Sequence, residues 1–160
     1  MTKRFAYIAA LLCLLASCAG IDCPLNNTVQ SHWSFYSQGK PISVSDSIYV
    51  FAKVNGADSL VINRLYNATD MEFPLSYYND VDTFRIEFHQ PDGKGGAIVM
   101  AETILISKDN LEHFNSPECG VWHEHRVKDL RSTTHVIDSI QTVRLKIDTN
   151  EQENFRIHFK

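Results

Sequence analysis

Histidines two residues apart on a strand point to the same side, and His123-Glu124-His125 is such a pair. Their imidazoles would stand about 7 Å apart along the chain. Two imidazoles can hold Zn²⁺ once further ligands arrive, and His113 lies close by in sequence, so His113, His123 and His125 form the candidate metal set. A plainer reading uses the same residues. Val121 and Val127 share the parity of the pair, while Glu124, Arg126 and Lys128 take the other side, so the histidines can be half-buried and hydrogen-bonded without a metal. The spacing is not the His-Glu-x-x-His of metalloproteases, which works only on a helix.

Two loops carry ligand-like residues. Asp92-Gly93-Lys94-Gly95-Gly96 is glycine-rich, but it lacks the Gly-x-x-x-x-Gly-Lys-Ser/Thr spacing of a phosphate loop and reads as a turn. Asn79, Asp80 and Asp82 offer oxygens for Ca²⁺ without the glycine pivot of a calcium loop, and again a turn is the simpler reading. No Gly-x-Ser-x-Gly elbow is present, and no pair of acids is singled out by spacing. Neither an enzyme activity nor a cofactor is expected.

The cysteines carry more information. Lys3 and Arg4 precede an apolar run from Phe5 to Leu15, too short to cross a bilayer and the right length for the core of a secretory signal. Leu15-Ala16-Ser17-Cys18 resembles the lipobox of bacterial lipoproteins, in which small residues fit the signal peptidase and only a thiol can take the diacylglyceryl thioether. The resemblance implies cleavage after residue 17 and an acylated Cys18. Ala19 follows, with no Asp there to retain the protein at the inner membrane, so sorting implies the outer membrane, on its periplasmic face rather than the cell surface. Several acyl chains make such attachment stable. Cys13 would leave with the signal. Cys23 and Cys119 remain as one pair in an oxidising compartment, expected to form a disulfide; two free thiols or a shared metal are the alternatives.

Loss of the signal leaves 13 basic residues against 19 acidic ones, formally −6. That balance argues against nucleic acid as a partner. The expected organisation is a signal peptide over residues 1–17, a lipidated Cys and polar tether over 18–31, and one domain over 32–160, large enough for a hydrophobic core. Within that domain, period-two alternation is bounded by turn residues. Thr83 to Gln90 shows it cleanly, with Phe84, Ile86 and Phe88 facing in. Trp33 and Phe35 alternate near the start, Ile48 and Val50 ahead of the Asn55-Gly56 hairpin turn, and Phe155, Ile157 and Phe159 at the end. Pro74 demotes its segment to an edge strand. Asp109 is placed to cap one helical turn through Phe114, and Val136 to Asp148 reads as a single strand. Eight to nine short strands with minimal helix predict an all-β antiparallel β-sandwich, immunoglobulin-like or similar.

Asp46-Ser47-Ile48, Asp58-Ser59-Leu60 and Asp138-Ser139-Ile140 resemble the Asp-Ser/Thr-aliphatic sequon for O-glycosylation of exported proteins in Bacteroidota, which would modify Ser47, Ser59 and Ser139; as bare sequence, Asp-Ser is also a turn that opens a strand. The order of Cys18, Cys23, Pro74-Leu75, Asp82-Thr83-Phe84, Glu118-Cys119-Gly120, Ile137-Asp138-Ser139-Ile140 and Phe155-Arg156-Ile157-His158-Phe159 resembles a family of uncharacterised small lipoproteins of Bacteroidota. The resemblance implies an envelope lipoprotein and supplies no catalytic residues. The expected role is a non-enzymatic protein that docks to another envelope or outer-membrane protein, with an exposed Trp122 as one contact. A module for a small ligand, glycan or metal is the alternative.

Overall fold

A computed structural model describes residues 28–160 except 115 and 118. Among the described residues the chain forms eleven strands and no helix: β1 (Gln30–Ser37), β2 (Lys40–Pro41), β3 (Ser47–Val54), β4 (Ala57–Leu65), β5 (Asp70–Pro74), β6 (Val81–Pro91), β7 (Ala97–Phe114), β8 (Val121–Ser132), β9 (Ile137–Thr142), β10 (Lys146–Ile147) and β11 (Phe155–Phe159). They make a β-sandwich, as the alternation predicts. One sheet runs β10-β8-β7-β6-β3-β4 and is antiparallel throughout. The other runs β2-β1-β11-β9, with β5 also paired to β1. Pro74 ends β5, which pairs only with β1.

The two sheets meet through the alternating residues. Phe84, Ile86 and Phe88 of β6 and Ile48 and Val50 of β3 are buried against Trp33 and Phe35 of β1, Met71 and Phe73 of β5, and Phe155 and Ile157 of β11. Aromatic rings bridge the layers, Phe73 to Phe84 at 4.7 Å and Phe88 to Phe159 at 5.5 Å between centroids. Trp33 is fully buried, so its indole N–H needs a partner. Ser31 Oγ accepts it at 2.9 Å and itself donates to the carbonyl of Phe73 at 2.7 Å.

Three features depart from the sequence reading. First, β1 pairs with β11 in parallel, so the smaller sheet is not purely antiparallel. Second, Asp109 to Phe114 is the last stretch of β7 and not a helical turn. Each of these residues pairs across to β8, Asp109 with Arg126 through Phe114 with Val121, and this ladder satisfies backbone groups that an isolated turn would leave to water. Third, Val136 to Asp148 is broken. β9 belongs to one sheet and β10 to the other. The crossing is held by Asn154, whose carbonyl accepts from Val143 N and Arg144 N, whose Oδ1 accepts from His32 N, and whose Nδ2 donates to the carbonyl of Lys146. Buried Asn154 thus fixes the corner at which the chain changes layers.

The inward side of β7 reads Glu102, Ile104, Ile106, Lys108, and all four are fully buried. The two isoleucines join the core. The two charged residues lie at opposite ends of it. Glu102 accepts from Val136 N and Ile137 N at 2.5 and 3.0 Å, from the Thr133 hydroxyl, and sits 3.3 Å from His135 Nδ1. Burial pushes its pKa up, but these donors outweigh burial and hold it below the usual glutamate value. Its carboxylate fastens the connection between β8 and β9.

Candidate functional site

At the Lys108 end of the sandwich, a cleft of about 600 Å³ opens between the β3–β4 turn and the loop that joins β5 to β6. A volume of that size suits a small ligand or an inserted side chain. The β3–β4 turn is tight because Asn55 and Gly56 both take positive φ, 50° and 82°, the conformation that Asn-Gly adopts readily. Leu75 and Phe84 are apolar lining residues, and Ser59, Ser76 and Tyr78 add hydroxyls. Thr28, the first described residue, also lines the cleft. Tyr78 is the most exposed large apolar side chain described, 92% accessible.

The β5–β6 loop is held from behind by Lys108. A bulge between Ser107 and Lys108 shifts the β7–β8 register there, and the Lys108 backbone N–H donates to the Asp80 carbonyl at 2.8 Å. The ammonium donates to the carbonyls of Ser76 (2.7 Å) and Asn79 (2.5 Å) and to Asn110 Oδ1 (2.9 Å), and lies 3.3 Å from Asp82 Oδ2. Asp82 in turn accepts from Ser76 N at 2.9 Å. Burial lowers the Lys108 pKa, opposed by Asp82, and burial raises that of Asp82, opposed by the Ser76 amide and by Lys108. Both are displaced toward their neutral forms, the mark of a pair whose attraction does not fully offset its desolvation.

The network continues to His125. Asn110 Oδ1 already accepts from Lys108 and lies 2.7 Å from His125 Nδ1, so Nδ1 carries the proton and Nε2 is a bare acceptor. That Nε2 is buried and has no hydrogen-bond partner. Burial first, then the charges of Lys108 and His123, push His125 down to about 4. It is neutral at physiological pH. Tyr77 lies flat over this region, 4.8 Å from His123 and 6.0 Å from His125 between ring centroids.

The structure does not assemble the candidate metal set. His123 and His125 share one side of β8, but His113 is paired with Trp122, and cross-strand partners share a side. His113 therefore lies on the opposite side of the ribbon, stacked on Trp122 at 4.4 Å and 3.3 Å from Glu124 Oε2. Among the described residues no group of three His, Cys, Asp or Glu side chains is placed to hold a metal ion. The two ligand-like loops are filled from within. The oxygens around Asn79 and Asp82 surround the Lys108 ammonium. The amides of the glycine loop hold the carboxylate of Asp92, whose Oδ1 accepts from Lys94 N and Gly96 N at 2.8 Å each, and these amides set its pKa below the usual value. Trp122 is half-buried and packs on the core, so it is not the exposed contact expected of it.

Ser59 and Ser139 are exposed on β4 and β9, each an outer strand of its sheet. Ser47 is half-buried at the start of β3, where its hydroxyl accepts from Arg64 Nε at 3.3 Å. Cys119 is buried just ahead of β8. Residues 1–17, expected as a signal peptide, lie outside the described residues, and so do Cys18 and Cys23. Sequence reasoning missed Lys108, Glu102 and Asn110 altogether. The parity of Glu102 and Lys108 with Ile104 and Ile106 was the signal that could have found two of them.

Residues 47–159, from the start of β3 to the end of β11, match DUF6452, a family of unknown function. The chain belongs to that family. The match leaves out β1, which in this DUF6452 member is an inner strand of the smaller sheet and contributes Trp33 and Phe35 to the core. Neither a curated protein nor a solved structure matches the chain.

Proposed function

We propose that this DUF6452 protein is a non-enzymatic, lipid-anchored protein of the bacterial outer membrane that takes hold of another envelope protein through the cleft beside Tyr78. The lipobox-like Leu15-Ala16-Ser17-Cys18 supports the anchor, and a Cys23–Cys119 disulfide fits the oxidising compartment that the anchor implies. The observation that carries the docking reading is the way the cleft is built. One of its walls, the loop from Ser76 to Asn79, is fixed by a fully buried ammonium that spends its hydrogen bonds on that loop's carbonyls. A wall held this firmly keeps a recess open without an ordering cost on binding. Tyr78 stands at the rim with its ring exposed, and aromatic side chains of this kind are common anchors in interfaces. Anchoring in two dimensions raises the effective concentration of a neighbouring partner, so a small contact suffices.

A photo-crosslinking residue in place of Tyr78, in the full chain expressed in its own envelope, tests this. The expected result is one discrete protein adduct, lost when Ser59 across the cleft is replaced by Arg. Adducts spread over many proteins, or none, would remove the docking reading. The same cleft size also suits a small ligand, and that reading gains if the crosslinker captures glycan and no protein.

A further inference from the structure

From the same end of the sandwich, β7 and β8 run on past the rest of their sheet. β6 pairs with β7 only as far as Ser107. Beyond it, residues 109–114 and 121–126 form a ribbon whose further strand pairing among the described residues is with β10 at His125 and Arg126. The far end of this ribbon is apolar and open. Phe114 is 62% exposed and faces Val121, 42% exposed, directly across the strands; Leu111, also 42% exposed, lies on the other side. Trp122 stacks beneath His113 next to them, and its indole N–H is buried without a partner.

We infer that this ribbon end contacts the lipid surface to which the chain is anchored, with Phe114 and Val121 entering the boundary between headgroups and acyl chains. The inference rests on the lipid-anchor reading above. What selects a bilayer as the occupant is chain length. Thr28 lines the cleft, and Tyr77, another lining residue, lies against His123 of the ribbon, so the first described residue lies on the ribbon's side of the sandwich. From Cys18 to Thr28 the chain can reach roughly 35 Å at full extension. The apolar ribbon end is therefore held within reach of the surface that the acyl chains occupy. An aromatic residue and two aliphatic ones, with a tryptophan behind them, suit that boundary. Glu112, on the same side as Phe114, is exposed, and the ribbon end presents no Lys or Arg among its described residues, so contact is expected without anionic lipid.

The two tryptophans supply the test. Trp33 is sealed in the core, so quenchers carried on lipid chains reach only Trp122. The full-length lipidated protein is reconstituted in phosphatidylcholine vesicles with brominated acyl chains, floated on a gradient, and its emission compared with that in unbrominated vesicles. The inference expects a clear loss of the Trp122 emission, at least twofold, and recovery of most of it in Phe114→Ser/Val121→Ser, whose exposed sites leave the unfolding midpoint unchanged. Protein that floats with the vesicles but is not quenched overturns this inference and leaves the anchor standing. Protein that does not float loses the anchor reading and this one with it. Quenching that persists undiminished in the double variant also overturns it, and so does protection of the ribbon end by a protein in native envelopes without quenching in vesicles.

Discussion

Glu102 and Lys108 sit on one side of one strand, separated by two isoleucines, and both are sealed from water, yet their surroundings treat them differently. Around Glu102 the chain turns N–H and O–H dipoles inward from Thr133, Val136 and Ile137, and the carboxylate stays charged more readily than in water despite its burial. Around Lys108 it turns carbonyls inward and adds a counter-ion, yet burial still displaces both Lys108 and Asp82 toward neutrality. A single ion with enough fixed dipoles is well solvated by the protein. A pair of opposite ions must desolvate twice, and their attraction only partly repays it. The first end locks a connection between two sheets. The second holds the wall of a cleft, and it does so at a cost in desolvation that the first end does not bear.

Removal of one partner from the Lys108 end should give the largest effect. Lys108→Met keeps the length of the side chain but strands Asp82 and leaves the carbonyls of Ser76 and Asn79 without their donor. The expected loss is about 3–5 kcal/mol, read as a lowered urea midpoint at unchanged m-value. The double variant Lys108→Met/Asp82→Asn keeps an acceptor for Ser76 N and removes the stranded charge, and should recover about half of that loss. If the double variant is no better than the single one, the ammonium matters for the loop carbonyls and not for Asp82.

The next effect is a pH dependence confined to the same end. The folded state holds His125 near 4, below its ordinary 6.5, because burial and the nearby cations disfavour the imidazolium. On acidification the unfolded chain takes up this proton first. The stability it contributes is therefore complete above about pH 6.5 and is lost as pH falls toward 4, by at most about 3 kcal/mol. Thermal unfolding of the wild type should weaken over that interval, and His125→Phe, which keeps a flat ring under Tyr77, should flatten the slope while losing some stability at pH 7. An identical slope in both proteins would assign it to other groups.

The sequence shows the sheets more readily than it shows the ends of the sandwich, for a physical reason. Strand faces are set by a period of two, so Phe84-Ile86-Phe88 and Phe155-Ile157 declare their own burial without knowledge of their neighbours. The parallel β1–β11 pair and the crossing at Asn154 depend on which strands lie side by side, and alternation does not encode that. The cleft wall is harder still. A charged residue read along a strand is placed outside by default, so Lys108 and Glu102 escape notice even though Ile104 and Ile106 give away their parity. The histidine pair was correctly placed on one side of a strand. His113 is misplaced because the extra β8 residue opposite the Ser107/Lys108 step, and the pairing of His113 with Trp122, fall outside any local pattern. The Asn79–Asp82 and Asp92 loops looked like sites because they do bind ions. The ions are an ammonium and a carboxylate of the same chain.

The smallest expected effect separates charge from hydrogen-bond count at the other end. In Glu102→Gln the retained oxygen still accepts from Val136 N and Ile137 N. The new amide group meets the Thr133 hydroxyl, which can rotate to accept instead of donate. Only the charge is lost, along with the fit to His135, so the cost should be about 1–2 kcal/mol, well below that of Lys108→Met. Its pH dependence also has a definite sign. The folded state holds Glu102 below the usual 4.5, so its contribution is present above that value and is lost as pH falls through the folded pKa. The gap between wild type and Glu102→Gln should therefore narrow as pH falls below 4.5, in urea melts at each pH. A gap that stays constant would mean that the carboxylate charge is not what Glu102→Gln removes, and a cost equal to that of Lys108→Met would mean that the two ends are equally strained; in either case the contrast between one well-solvated ion and one strained pair would fail.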